Sequence, residues 1–187
     1  RDILFFGCFG ASLVGEAFIL AFTFPNLFRR MLGEGTLTSA FIPVFAETIK
    51  VKSKEIAFNL LNQVTSRLVV FLGVGSLVIC LLSYLASIYW IFDDAKWNEG
   101  VFLNCISFGY VMFICVSAIL VGALNSIGRF FEGAFSPVIL NVCMISAMIG
   151  GKFFFDLSLS ELAVFLCLSV LLAGTMQLAL PWMKLQS

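Results

Sequence analysis

The run LVVFLGVGSLVICLLSYLASIYWIF, from Leu68 to Phe92, carries no charge and lies between Arg67 and Asp93. A hydrocarbon layer about 30 Å thick is crossed by about 20 apolar residues in helix, so this run is long enough to span it. It must be helical, because backbone amides in lipid need partners within their own segment or in a closed barrel. A barrel would show short strands alternating polar and apolar positions, and this run does not alternate. Three more charge-free runs follow: Gly100 to Gly128, Gly133 to Gly151, and Leu162 to Met183. Each is bounded by charge, at Glu99 and Arg129, Glu132 and Lys152, and Glu161 and Lys184 respectively. Four transmembrane helices are expected.

Composition agrees. Hydrophobic residues make up 61% of the 187 and charged residues only 12%, against about 25% charged in soluble domains. Mean hydropathy is +1.07. Too few polar residues are present to cover a soluble globule. The same figures exclude a basic nucleic-acid binder and a disordered chain. Histidine is absent, which removes Ser-His and Cys-His catalysis and His-ligated metals. The six cysteines show no C-x-x-C spacing and sit in apolar runs, so they read as small buried hydrophobes. Neither a metal site nor a cofactor is expected.

The first quarter of the chain is less regular. Ile3 to Gly15 is too short to span alone and reads as the end of a helix that starts upstream. Ala17 to Phe28 and Thr36 to Ala46 are uncharged, but Arg29, Arg30 and Glu34 stand between them. Joined, they make one long helix from Ser12 to Ile49, kinked by Pro25 and loosened by Gly33 and Gly35. The chain is thus expected to be one helical lobe over 1–187. Its helices fall at about 1–9, 12–49, 56–92, 101–128, 133–152 and 161–183. Both ends read as cuts within a longer protein.

Connection charges alternate. Lys50, Lys52 and Lys54, then Arg129, then Lys184 form a basic set. Asp93, Asp94, Glu99, Asp156 and Glu161 dominate the other connections. The basic set is expected to face the cytoplasm. Tyr89, Trp90 and Trp97 suit an interfacial belt.

Charges inside the membrane cost about 2.5–3.5 kcal/mol each on insertion scales, so Arg1, Asp2, Arg29, Arg30 and Glu34 are the informative residues. Arginine stays protonated and offers a planar fork that fits phosphate. Neighbouring helix positions differ by about 100°, so Arg29 and Arg30 cannot face the same way. Asn26 shares a stripe with them, and Glu34 can pair with Arg30 four residues back. Two readings stay open. Arg29 lines a wet cavity and grips an anion, or it snorkels to the interface with Thr36 to Ile49 lying on the surface. Glu16 suits a helix N-terminus. Asn125 and Asn141 read as interhelical hydrogen-bonders, with a ligand role as the alternative.

Arg1-Asp2, Phe9-Gly10-Ala11 and Glu16-Ala17-Phe18 resemble the start of the MurJ (MviN) family. The run Ala21 to Arg30 (AFTFPNLFRR), then Gly33-Glu34-Gly35 and Ala40 to Glu47 (AFIPVFAE), resembles its signature. Gly122 to Asn125, Arg129-Phe130, Ala134 to Pro137 and Leu140-Asn141 match in order and spacing. The resemblance implies an all-α integral membrane protein: the N-terminal lobe of a transporter in the superfamily of MATE exporters, which works by alternating access. It implies a flippase for lipid II, the undecaprenyl-diphosphate-linked peptidoglycan precursor, in the bacterial cytoplasmic membrane. Partners implied are that precursor, membrane lipids, a coupling ion and a missing C-terminal lobe. Substrate contacts fall on Arg1, Arg29 and Asn26, and gate or charge-pair positions on Asp2, Glu16, Arg30 and Glu34. Glu16 replaces the family's usual Asp. Gly109 and Gly133 stand where the family commonly has proline, so softer bends are expected there. A related exporter of drugs or polysaccharide lipids and a non-transporting scaffold are the other classes. The arginines speak against a cavity for cations, and a scaffold requires Arg29 and Arg30 at the interface.

Overall fold

A short helix α1, Asp2–Phe9, opens the chain. Gly10 ends it at φ 56°, a left-handed conformation that glycine adopts without a Cβ clash. The backbone then reverses into α2, Leu13–Phe28, started by the Ser12 hydroxyl, which accepts from the Gly15 N–H at 3.1 Å. The computed structural model describes residues 1–33, 36–89 and 94–186. Glu34, Trp90 and Asp93 therefore lie outside the described residues.

The single helix expected over 12–49 is divided. After α2 comes a π-turn, Arg29–Gly33, and α3 then runs Thr36–Val51. Pro25, inside the last turns of α2, has no N–H to give to the carbonyl four residues back. The next free amide, on Arg29, reaches both the Asn26 and the Pro25 carbonyls. Wide turns of this kind form where the ordinary ladder is disturbed.

Ser53 caps α4, Lys54–Ile88, by accepting from the Ile56 N–H. Asp94 caps α5, Ala95–Ser107, by accepting from the Lys96 N–H at 2.9 Å. Most of the expected 93–100 connection is thus the first turn of a helix, because its aspartate serves as a cap rather than a loop residue. The run expected as one helix over 101–128 is two: α5 and then α6, Tyr110–Ser126, which meet at a 45° bend. The bend falls at Gly109 with no proline in the break. α7 spans Phe131–Ile149 and continues into a second π-turn, Gly150–Phe154. α8 runs Leu159–Gln186.

Three helices are long and apolar enough to cross a membrane: Lys54–Ile88, Phe131–Phe154 and Leu159–Leu185. The α5–α6 pair is apolar enough to make a fourth if it crosses as one bent span. Their outward faces are apolar, with Phe71 and Leu77 of α4 each 72% exposed, as a lipid-facing surface requires. The described residues are all-α, and the protein is an integral membrane protein.

Two apolar cores hold the helices. One joins α1, α2, α5, α7 and α8 through Phe5, Phe9, Phe18, Leu103, Met148 and Leu166. The other joins α3, α4 and α6 through Phe41, Phe45, Ala57, Leu61, Ile119 and Ala123. Small residues set the spacing. A Cβ on Gly100 would stand 2.8 Å from Leu20 Cδ2, so α5 and α2 touch closely there. A Cβ on Gly122 would meet Ile42 of α3 at 3.0 Å.

The two ends of the lobe differ in charge. At one end Arg129 donates to the Lys184 carbonyl at 2.8 Å, with Ile49 and Leu185 packed on the second core nearby. At the other, Lys96 pairs with Glu16 at 2.6 Å, and the Ser160 hydroxyl contacts Glu99 at 3.5 Å.

Candidate functional site

The π-turn decides where Arg29 goes. It carries the half-buried side chain towards α6 and α7, where it lines a cavity of about 280 Å³ with Ser117, Asn125, Gly133 and Ser136. Arg29 also lines an adjoining cavity of about 170 Å³, together with Arg1, Asn26, Asn141 and Gln177. Arg1 and Asn26 in turn line a third cavity of about 280 Å³ along α1 and α2. The three share residues and form one cleft. Arg1 is brought in it to Asn26 and Arg29, which lie more than twenty residues further along the chain.

Ser136 and Gln177, which line the cleft with Arg29, belong to the charge-free runs of α7 and α8. Arg129 stands seven residues before Ser136, and Lys184 seven after Gln177.

Arg1 is held from two sides. Its Nε donates to the Asp2 carboxylate at 2.7 Å and its Nη1 to the Asn141 carboxamide at 3.5 Å. The Asp2 carboxylate is open to the cleft, 72% exposed. Two guanidinium groups and a single partly engaged carboxylate leave the cleft favourable to an anion.

The cleft floor is fixed by Gln177, only 2% exposed. Its Nε2 donates to the Ser136 carbonyl at 2.6 Å, and its Oε1 accepts from the Tyr110 hydroxyl at 3.2 Å. Its own carbonyl accepts from the Ser117 hydroxyl at 2.7 Å. One residue of α8 therefore ties down both α6 and α7, and buried amides need such partners. Asn125 Oδ1 is buried with no hydrogen-bond partner among the described residues.

Other expected site residues lie elsewhere. Glu16 is about 20 Å along α2 from Arg29 at 1.5 Å per residue, paired with Lys96. Arg30 is exposed and lines none of the cavities above. Glu34 is outside the described residues. Asn141 proves to be both a hydrogen-bond partner and a cleft residue. Gln177, Ser136, Ser117 and Tyr110 escaped the sequence reading. The available signal was the cost of a lone glutamine within the 162–183 run. No group of three metal-ligating side chains occurs among the described residues.

Residues 7–186 match the protein family described as Lipid II flippase MurJ. The chain belongs to the MurJ family. The probable lipid II flippase MurJ of Bdellovibrio bacteriovorus is 40% identical over 151 residues, 78% of this chain and 29% of that protein. The probable lipid II flippase MurJ of Rhizobium tropici is 35% identical over 188 residues, 97% of this chain and 35% of that protein. The lipid II flippase MurJ of Burkholderia cenocepacia is 32% identical over 158 residues, 80% of this chain and 30% of that protein. The chain spans about a third of the length of these relatives. As a MurJ-family chain it is a multi-pass protein of the bacterial inner membrane. These relatives carry the names of transporters rather than of enzymes.

Proposed function

We propose that this chain is one lobe of a flippase for the undecaprenyl-diphosphate-linked peptidoglycan precursor, lipid II, and that Arg1, Asn26 and Arg29 hold its diphosphate. The observation that carries the reading is the cavity that Arg1, Asn26 and Arg29 line together, with residues of the charge-free runs of α7 and α8. A diphosphate stranded in low dielectric is costly, and two guanidinium forks offset that cost. Family membership and the names of the relatives point the same way.

The second lobe of the full-length protein closes the cleft from the other side, and rocking of the two lobes exposes it alternately to the cytoplasm and the outside. No bond in the substrate is made or broken. A coupling ion or the membrane potential drives the cycle. Asp2 neutralises Arg1 when the cleft is empty and yields it to the diphosphate. Glu16 with Lys96 steadies the far end. Arg30 and Glu34 are assigned to the gate on their resemblance to the family's gate positions.

The test is Arg29→Ala in the full-length protein. Growth of a flippase-depletion strain and lipid II translocation should both fail while membrane insertion is unchanged. Full growth on the variant would overturn the reading.

A further inference from the structure

The cleft's three compartments differ in chemistry. The one beyond Arg29 is mainly aliphatic. Its Ser117 hydroxyl is already spent on the Gln177 carbonyl, and its Asn125 Oδ1 is occluded. The compartment on the Arg1 side is largely aromatic, lined by Phe5, Phe6, Phe18 and Phe22 with Asp2, Thr23 and Asn26 at its polar edge, in about 280 Å³.

Phe6 is the unusual residue there. It lines the compartment and is 61% exposed, whereas Phe5 beside it is buried. Its ring stands edge-on to Phe5, with centroids 5.9 Å apart and planes at 81°. Phe5 is itself locked, stacked on Phe9 at 4.8 Å and tilted against Phe18 at 5.4 Å. Phe6 thus presents a preoriented aromatic face at little ordering cost to a ligand. Around that face lie an exposed carboxylate and the polar side chains of Thr23 and Asn26. The Thr23 hydroxyl gives its proton to the Ile19 carbonyl at 2.7 Å, which leaves its oxygen free to accept.

A ring face bordered by acceptors and an amide suits a pyranose, whose C–H face is apolar and whose rim carries hydroxyl and amide groups. We infer that this compartment is the subsite for the sugar attached to the diphosphate, with the pyranose stacked on Phe6 and its hydroxyl groups donating to Asp2. The inference rests on the diphosphate reading above. It fits the connectivity, because Arg1 and Asn26 border both compartments and the first sugar is bonded directly to the phosphate.

The experiment uses the full-length protein in nanodiscs and two probes: a polyprenyl diphosphate, and the same lipid carrying one N-acetylhexosamine. The wild type should prefer the glycosylated probe, and Phe6→Ala should reduce the ratio of the two affinities by about fivefold to tenfold. Phe6→Tyr, which keeps the ring, should restore the ratio. Phe6 is exposed, so these changes leave the core intact. A ratio unchanged in Phe6→Ala would overturn the sugar subsite. So would an equal loss for both probes. Arg29→Ala in the same assay separates the two claims. Weakened binding of the bare diphosphate keeps the parent reading even if the Phe6 ratio does not move. Undiminished binding of the bare diphosphate removes the parent reading itself.

Discussion

Gln177 on α8 donates from Nε2 to the Ser136 carbonyl on α7 at 2.6 Å, directly beneath the cleft that holds Arg1 and Arg29. The contact makes the floor of the site part of the helix packing. Gln177→Leu leaves the Ser136 carbonyl and the Tyr110 hydroxyl without their partner and should cost about 1–3 kcal/mol. Thermal unfolding in detergent checks this. Gln177→Glu, which sets a buried carboxylate against the Ser136 carbonyl, should cost at least as much at neutral pH.

Arg29→Lys separates charge from shape. Lysine keeps the cation but not the planar fork that engages two phosphate oxygens at once. Translocation by the full-length protein should lie between wild type and Arg29→Ala. Activity equal to wild type would mean that charge alone suffices.

Close helix contact at Gly174, itself outside the cleft lining, is testable by enlarging the side chain. A Cβ there would stand 2.8 Å from Tyr110 Cδ2 and 3.1 Å from Phe113 Cβ. Gly174→Val should overpack the α6–α8 contact and cost about 1–3 kcal/mol. Gly75→Ala on α4 is the control, since nothing lies within 4 Å of its added methyl. It should be neutral or slightly stabilising in helix.

The Glu16–Lys96 pair, at 2.6 Å, joins the starts of α2 and α5 in a solvent-accessible setting. Lys96→Met should lower thermal stability only slightly, and the difference should vanish at high salt. The swapped pair, Glu16→Lys with Lys96→Glu, should recover the wild-type midpoint. Recovery of transport as well would show that Glu16 works through this contact and not through the sign of its charge.

Where the sequence was readable, length and charge did the reading. The helices within Leu68 to Ile88, Gly133 to Ile149 and Leu162 to Met183 needed no tertiary information, because lipid forces such apolar backbone to bond within its own segment. The 101–128 run was not readable in the same way. Its bend at Gly109 is accompanied by the Cys80 thiol, which reaches the Cys105 carbonyl from another helix at 2.9 Å. Pro25 announced a disturbance in 12–49, but not that it would take the form of a π-turn at Arg29. At the site, Arg29 stood out because a cation amid apolar sequence is expensive. Gln177 and Ser136 did not, because an isolated amide or hydroxyl gains its meaning only from the helix it meets.

The 35 residues of α4 reach about 52 Å at 1.5 Å per residue, well beyond the thickness of oil in a bilayer. Its uncharged part begins only at Leu68, so the stretch from Lys54 to Arg67 rises about 20 Å past that boundary. The second core, built on Ala57 and Leu61, is packed against this overhang. Ile42 of α3, which lines a compartment of the cleft together with Arg29, follows Phe41 of that core. A membrane thicker than the uncharged stretch of α4 would draw this overhang towards acyl chains, a mismatch that the lobe can meet by tilting.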